Sequence, residues 1–159
     1  MDKPEDHRTA ISDPLQAMLG FQLRRTSVAV MAALGDELDP LGINPSEASL
    51  LMLIGANEGC TQSDISRALR AKPANLVPLI NKLAMAGALD RAPGKGRTIA
   101  LSLSDRGRAL HVEVRQAFAR HEARITRNVP EDRRADIVDL LRQICLDACC
   151  SSHGTEGDA

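Results

Sequence analysis

The sequence predicts a mainly α-helical chain with one small β-hairpin set between long flanking helices, and three observations predict it. The 159 residues include two Phe, no Trp and no Tyr. A core must then come from Leu, Ile, Val, Ala and Met, which suits packed helices better than an aromatic-rich sandwich. Apolar residues recur at three- and four-residue steps along most of the chain and alternate strictly only in residues 98–104. Charge is also segregated. Residues 59–108 hold nine basic and three acidic side chains, a net of +6, so the rest of a chain of net charge −1 carries −7. A basic centre inside an acidic remainder is the footprint of a nucleic-acid-binding module.

Residues 14–38 read as a long helix, with Leu15, Met18, Leu19, Leu23, Val30, Leu34 and Leu38 on its apolar side, Asp13 as cap and Pro14 in the first helical position. "DPLGINP" breaks it. "PSEASLLMLIGANEG" follows as a short helix that is apolar nearly all round, capped by Ser46 and ended by Gly55 to Gly59. Thr61 is the cap expected for the next helix, with Asp64 three residues on in a capping box, and Ile65, Ala68 and Leu69 form its inner face. A tight turn at residues 70–72 leads into "KPANLVPLINKLAMAG", where Leu76, Leu79, Ile80 and Leu83 share one face and Gly87 is the stop. "ALDRA" and "TIALSLS" then form two strands around "PGKGR", which places Lys95 and Arg97 at a hairpin tip. Ser104 caps a further long helix over residues 105–127, and a last one follows Pro130. Residues 1–13 and 151–159 read as flexible tails.

Short helix, turn, longer helix and basic hairpin, in that order, make a winged helix-turn-helix. An α-helix fits the major groove, and a basic wing tip reaches the neighbouring minor groove or phosphates. The organisation expected is therefore a DNA-binding domain over residues 46–104 and a helical dimerisation region over residues 14–38 and 105–150. No apolar run approaches the ~20 residues that span a bilayer, and "MDKPEDHRTAISD" is unlike a signal peptide, so a cytoplasmic protein is expected. No phosphate loop, nucleophile–His–acid set or paired metal-ligand spacing is visible, so neither enzyme activity nor a cofactor is expected.

The run "GCTQSDISRALRAKPANLVPLINKLAMAGALDRAPGKGRTIALSLSDRGRAL" resembles the MarR family of bacterial transcriptional regulators, and the likeness extends over residues 15–147. It implies an obligate homodimer with interlocked first and last helices and two lobes reading a pseudo-palindromic DNA operator. It also implies a repressor that releases DNA when a small molecule enters the cleft between dimer helices and lobe. The "ANLVPLI" segment is similar to regulators of aromatic-acid catabolism, which points to an aromatic acid or its CoA thioester as effector. Carried onto this sequence, the DNA-binding residues are Lys72, Pro73, Ala74, Asn75 and Lys82 on the recognition helix, Arg67 and Arg70 before it, and Lys95 and Arg97 on the wing. Arg24, Arg25, Ser27, Met52 and His111 are the candidates for the effector cleft, the arginines suiting a carboxylate or phosphate. Two features depart from the family pattern. The wing is short, with Lys95 where an acid usually precedes the wing arginine, here Arg97, and the recognition helix carries Ala74, Asn75, Val77 and Pro78 where the family often has a Ser/Thr-rich, Arg-bearing face.

Pro78 leaves two registers open. With a helix start at Pro73, Pro78 lies inside the helix and leaves the Ala74 carbonyl without its donor, and Asn75 is a base reader. With Asn75 as N-cap, Pro78 falls in the first turn, where its missing N–H costs little, and Asn75 is structural. "CLDACCSSH" at residues 145–153 leaves three readings for Cys145, Cys149 and Cys150: buried or incidental thiols, a redox switch, or metal ligands with His153. The redox reading makes a redox-responsive regulator the alternative function. Cys60, at a helix start, is read as a packing residue, with a lowered thiol pKa as the alternative.

Overall fold

The computed structural model describes residues 13–150. Both tails beyond Asp13, His153, and the side chains of Cys149 and Cys150 lie outside the described residues. Six helices and a three-stranded antiparallel sheet are present: α1 Leu19–Leu38, α2 Pro45–Ala56, β1 Cys60–Thr61, α3 Gln62–Leu69, α4 Pro73–Met85, β2 Leu89–Pro93, β3 Ile99–Leu103, α5 Asp105–Ile125 and α6 Glu131–Cys150. The chain divides into two compact units, one ending at His121 and one beginning at Glu122. That boundary falls inside α5 and differs from the functional division expected from sequence.

In the first unit, the expected helix over residues 14–38 is two pieces. A 3-10 turn, Pro14–Ala17, is capped by Asp13, whose Oδ1 accepts from the Leu15 N–H at 3.0 Å. Met18 is extended (φ −86°, ψ 117°) and forms the N-cap of α1. Asn44, rather than Ser46, caps α2: its Oδ1 accepts from the Glu47 N–H at 2.9 Å, and Glu47 Oε2 accepts from the Asn44 N–H at 3.1 Å. The reason is Pro45, whose fixed φ and missing N–H suit the first helical position and so move the cap two residues back. α2 ends at Ala56, so Gly55 lies within it.

The core joins Leu34 and Leu38 of α1, Leu50, Leu51 and Ile54 of α2, Ile65 of α3, Leu76, Ile80 and Leu83 of α4, Leu101 and Leu103 of β3, and Val114 and Ala117 of α5. α3 contributes only Ile65: Ala68 and Leu69, expected inside, are exposed. The sheet order is β1-β3-β2, with Cys60 paired to Leu101 and Arg91 also to Leu101 on the other side. Only the inner half of β3 follows the expected alternation, because Ile99 lies beyond the core and is 54% exposed. α5 is held to α1 by Arg120 Nε donating to Glu37 Oε2 at 2.9 Å and by His121, buried, with Nε2 3.0 Å from the Val30 carbonyl oxygen.

A second joint ties α5 to the end of α4. Gly87, at φ 71°, turns the chain out of α4 into β2. The Ser104 hydroxyl donates to the Gly87 carbonyl at 2.6 Å and accepts from the Gly107 N–H at 3.0 Å, as expected of the α5 cap. The Ser104 N–H donates to the Ala88 carbonyl at 3.1 Å. Gly107 lies so close to that carbonyl that a Cβ there would overlap its oxygen and come within 2.9 Å of its carbon.

The second unit holds the end of α5, a turn and α6. Thr126 closes α5 by donating its hydroxyl to the Glu122 carbonyl at 2.7 Å, and the Val129 N–H bonds the Thr126 carbonyl at 2.9 Å. No residue of α6 whose burial is described is buried, and Ile137, Val138, Leu140, Leu141 and Leu146 are exposed. Among the described residues no helix is long and apolar enough to cross a membrane.

Candidate nucleic-acid interface

The helix-turn-helix begins with a complete capping box. The Thr61 hydroxyl accepts from the Asp64 N–H at 3.3 Å, while Asp64 Oδ2 accepts from the Thr61 N–H at 3.0 Å and its hydroxyl at 2.7 Å. These bonds to the charged form hold the Asp64 carboxyl below the usual carboxylate range. α3 then ends on Arg70 in the left-handed region (φ 48°), an unusual conformation for a residue with a Cβ. It reverses the chain at once. The Ser66 carbonyl accepts from the Ala71 N–H at 3.1 Å, and the Ser66 hydroxyl donates to the Ala71 carbonyl at 2.6 Å. Gln62 reaches further, its Nε2 donating to the Pro73 carbonyl at 3.2 Å. Two side chains of α3, Ser66 and Gln62, with the left-handed Arg70 backbone, therefore set the angle at which α4 departs.

α4 starts at Pro73, so the first of the two registers holds. Lys72, extended at φ −62° and ψ 137°, takes the N-cap position, as the residue before a proline should. Asn75 is therefore inside the first turn and does not cap, and its N–H donates to the Lys72 carbonyl at 2.9 Å. Pro78 is a true interior proline. Its missing N–H lies on the exposed side of the helix, where water can reach the freed carbonyl, which lowers the cost of the break.

Lys72, Pro73, Ala74 and Asn75 are all exposed on the leading turn of α4. Arg67 and Arg70 are exposed on α3 and its cap, Arg67 NH1 lying 3.5 Å from Asp64 Oδ1. Lys95 and Arg97 are exposed on the wing tip, where Gly96 adopts φ 67° and Thr98 bonds back to the Lys95 carbonyl at 2.8 Å through its hydroxyl. Lys82 has a different neighbour. Its Nζ lies 2.6 Å from Glu47 Oε1, and Glu47 is 1% exposed, so the pair ties α4 to the N-terminus of α2. A buried carboxylate needs that partner, and the capping bond to Asn44 alone would leave it undersatisfied.

Sequence reading passed over two residues that build this surface. Arg91 of β2 donates to Asn81 Oδ1 of α4 at 2.6 Å, fastening the wing to the helix. Glu47, read only as part of an apolar helix, holds α4 through Lys82. Neither pairing has a local signal, because its partners are 10 and 35 positions apart.

The five effector candidates separate into two groups. Arg24, Arg25 and Ser27 stand exposed on α1, with the Arg25 guanidinium 5.9 Å above the Phe21 ring. Met52 of α2 and His111 of α5 are half-buried. The His111 ring lies against Gly55, one turn beyond Met52, where an added Cβ would come within 2.8 Å of it. The cysteine expectations change. Cys145 is exposed on α6 and so is not a buried thiol. Burial, with Asp64 nearby, pushes the half-buried Cys60 thiol up rather than down, the reverse of activation at a helix start.

A family model described as the MarR family matches residues 43–96, which run from the entry to α2 to the wing tip. The HTH-type transcriptional repressor Rv2887 of Mycobacterium tuberculosis is 31% identical over 116 residues, covering 69% of this chain and 84% of that protein. The transcriptional repressor CouR bound to a 23-mer DNA duplex is similar in structure, with a TM-score of 0.77 and 29% identity over 82% of this chain and 94% of that one. CouR bound to p-coumaroyl-CoA gives a TM-score of 0.75 and 28% identity over 86% and 97%.

Proposed function

The chain belongs to the MarR family of transcriptional regulators, and from that premise we propose that it is a homodimeric repressor released from a pseudo-palindromic operator by an aromatic acid or its CoA thioester. The observation that carries the reading is that the leading turn of α4 and the Lys95–Arg97 wing tip are both exposed, with β2 of the wing fastened to α4 through Arg91 and Asn81. In this reading Lys72, Pro73, Ala74 and Asn75 enter the major groove. Arg67, Arg70, Lys95 and Arg97 neutralise phosphates or enter the minor groove. Lys82 serves the interface through Glu47, by holding α4 against α2.

Residues 46–104 act as the DNA-reading part, and residues 14–38 and 105–150 as the dimerising part. Exposed apolar side chains on α1 (Leu19, Val28, Met31), at its N-cap Met18 and on α6 support the second assignment, since rows of this kind on a water-facing helix mark contact surfaces. CouR's ligand supports the effector class. Arg24 and Arg25 suit a carboxylate or a CoA phosphate, and Ser27, Met52 and His111 the remainder.

The test is a titration of the protein bound to the DNA upstream of its own gene. Under this reading p-coumaroyl-CoA or a related aromatic CoA ester weakens the complex by about tenfold or more, a coupling of about 1.4 kcal/mol. Arg24→Ala with Arg25→Ala blunts the release while DNA affinity stays within about twofold. A complex unmoved by any aromatic acid or CoA ester overturns the effector assignment.

A further inference from the structure

The recognition helix turns an unusually apolar face outward. Leu76, Ile80 and Leu83 enter the core, and the opposite side of α4 is the row Ala74, Pro78, Asn81 and Met85, at four-, three- and four-residue spacing. All four are exposed, Met85 at 90%. Val77 flanks the row and is 42% exposed. Asn81 is the sole polar member, and Arg91 occupies its Oδ1, so its amide N–H groups are what it offers outward. The helix-turn-helix and wing that carry the row also carry the exposed cations Arg67, Lys72, Lys95 and Arg97.

We infer that this row reads thymine 5-methyl groups in each operator half-site, with Asn81 as a donor to an adjacent acceptor edge. The inference rests on the repressor reading above and adds what the helix selects. Apolar side chains cannot distinguish bases by hydrogen bonds. The one apolar feature that differs between base pairs in the major groove is the thymine methyl. Burying that methyl against Ala74 and Pro78 removes apolar surface of both from water. A guanine or adenine edge facing the same atoms would lose its water partners and gain none. The net charge of +6 over residues 59–108, the segment that holds the row, favours a polyanion over an apolar protein surface.

The experiment uses the full chain and duplexes from the footprinted DNA upstream of its own gene, with each thymine replaced singly by deoxyuridine, which removes only the methyl. At one or more positions in each half-site, affinity falls by roughly 3–10-fold, the size expected for one buried methyl. Pro78→Ala, a change that suits a helix interior and keeps the fold, shrinks that penalty at one position and leaves the others. If the duplex is bound in preference to scrambled DNA yet every deoxyuridine is neutral, the inference fails and the repressor reading stands. In that case the row is left to a protein partner. If no DNA is preferred over scrambled sequence, both fail.

Discussion

Gly107→Ala is expected to destabilise the protein by about 2–3 kcal/mol, the range of overpacking against atoms that cannot move aside. For a chain of this length that lowers Tm by roughly 5–10 °C. The direction is opposite to the ordinary one, since Ala normally stabilises a helix interior over Gly by about 1 kcal/mol. Here the new Cβ would overlap the Ala88 carbonyl oxygen, and that oxygen already accepts from the Ser104 N–H. α5 would have to lift from the start of β2, loosening the Ser104 bonds to Gly87 and Gly107. Gly35→Ala is the contrast, because a Cβ there meets nothing within 4 Å. It should gain rather than lose stability. Thermal melts of the two variants side by side decide the matter, and equal Tm values would mean that the α5 joint is slack.

Leu140→Asp with Leu141→Asp is expected to convert the protein to monomers and to weaken operator binding by roughly a hundredfold. Leu140 is 62% exposed and Leu141 45%, on a helix with no buried residue among those whose burial is described. In the proposed dimer contact the two carboxylates would be buried without partners, and each isolated buried charge costs several kcal/mol. Loss of the dimer removes the second half-site, and with it the avidity of linked binding, ordinarily about 10²–10⁴. Since no α6 residue whose burial is described belongs to the buried core, the monomer should retain its helical signal. Sedimentation velocity and anisotropy on the same sample check both halves. A variant that remains dimeric would place the dimer contact elsewhere.

The helical order, the turn and the wing were legible because each has a local cause. Thr61 with Asp64, Pro73 after an extended Lys72, Gly87 at positive φ and the Gly94–Gly96 turn all act within a few residues of chain. The errors came where a short-range rule met a tertiary one. Ser46 lost the cap to Asn44 because Pro45 is a better first helical residue than loop residue. Leu69 was expected inside by spacing, yet α3 is only eight residues long and touches the core through Ile65 alone. β1 is two residues and exists through its pairing with β3, so it left no pattern of its own. The charge of the site was visible as a basic segment. Which cations are committed internally was not, because Glu47 and Asn81 are polar residues in helices whose partners lie far along the chain. The interior Pro78 was legible as an anomaly, and its register followed from the residue before Pro73 rather than from Pro78 itself.

α4 and its wing are expected to bind DNA by sequence and by phosphate neutralisation together. The direct measurement is fluorescence anisotropy on the DNA upstream of the protein's own gene, repeated across salt concentrations with scrambled DNA as competitor. The proposed dimer, with Arg67, Arg70, Lys72, Lys95 and Arg97 on each half-site, would neutralise several phosphates per lobe. The logarithm of the association constant should then fall against the logarithm of salt with a slope of roughly −5 to −9. Scrambled DNA should compete at least about a thousandfold less well than the specific site. A slope near zero, or equal competition by scrambled DNA, would contradict the account.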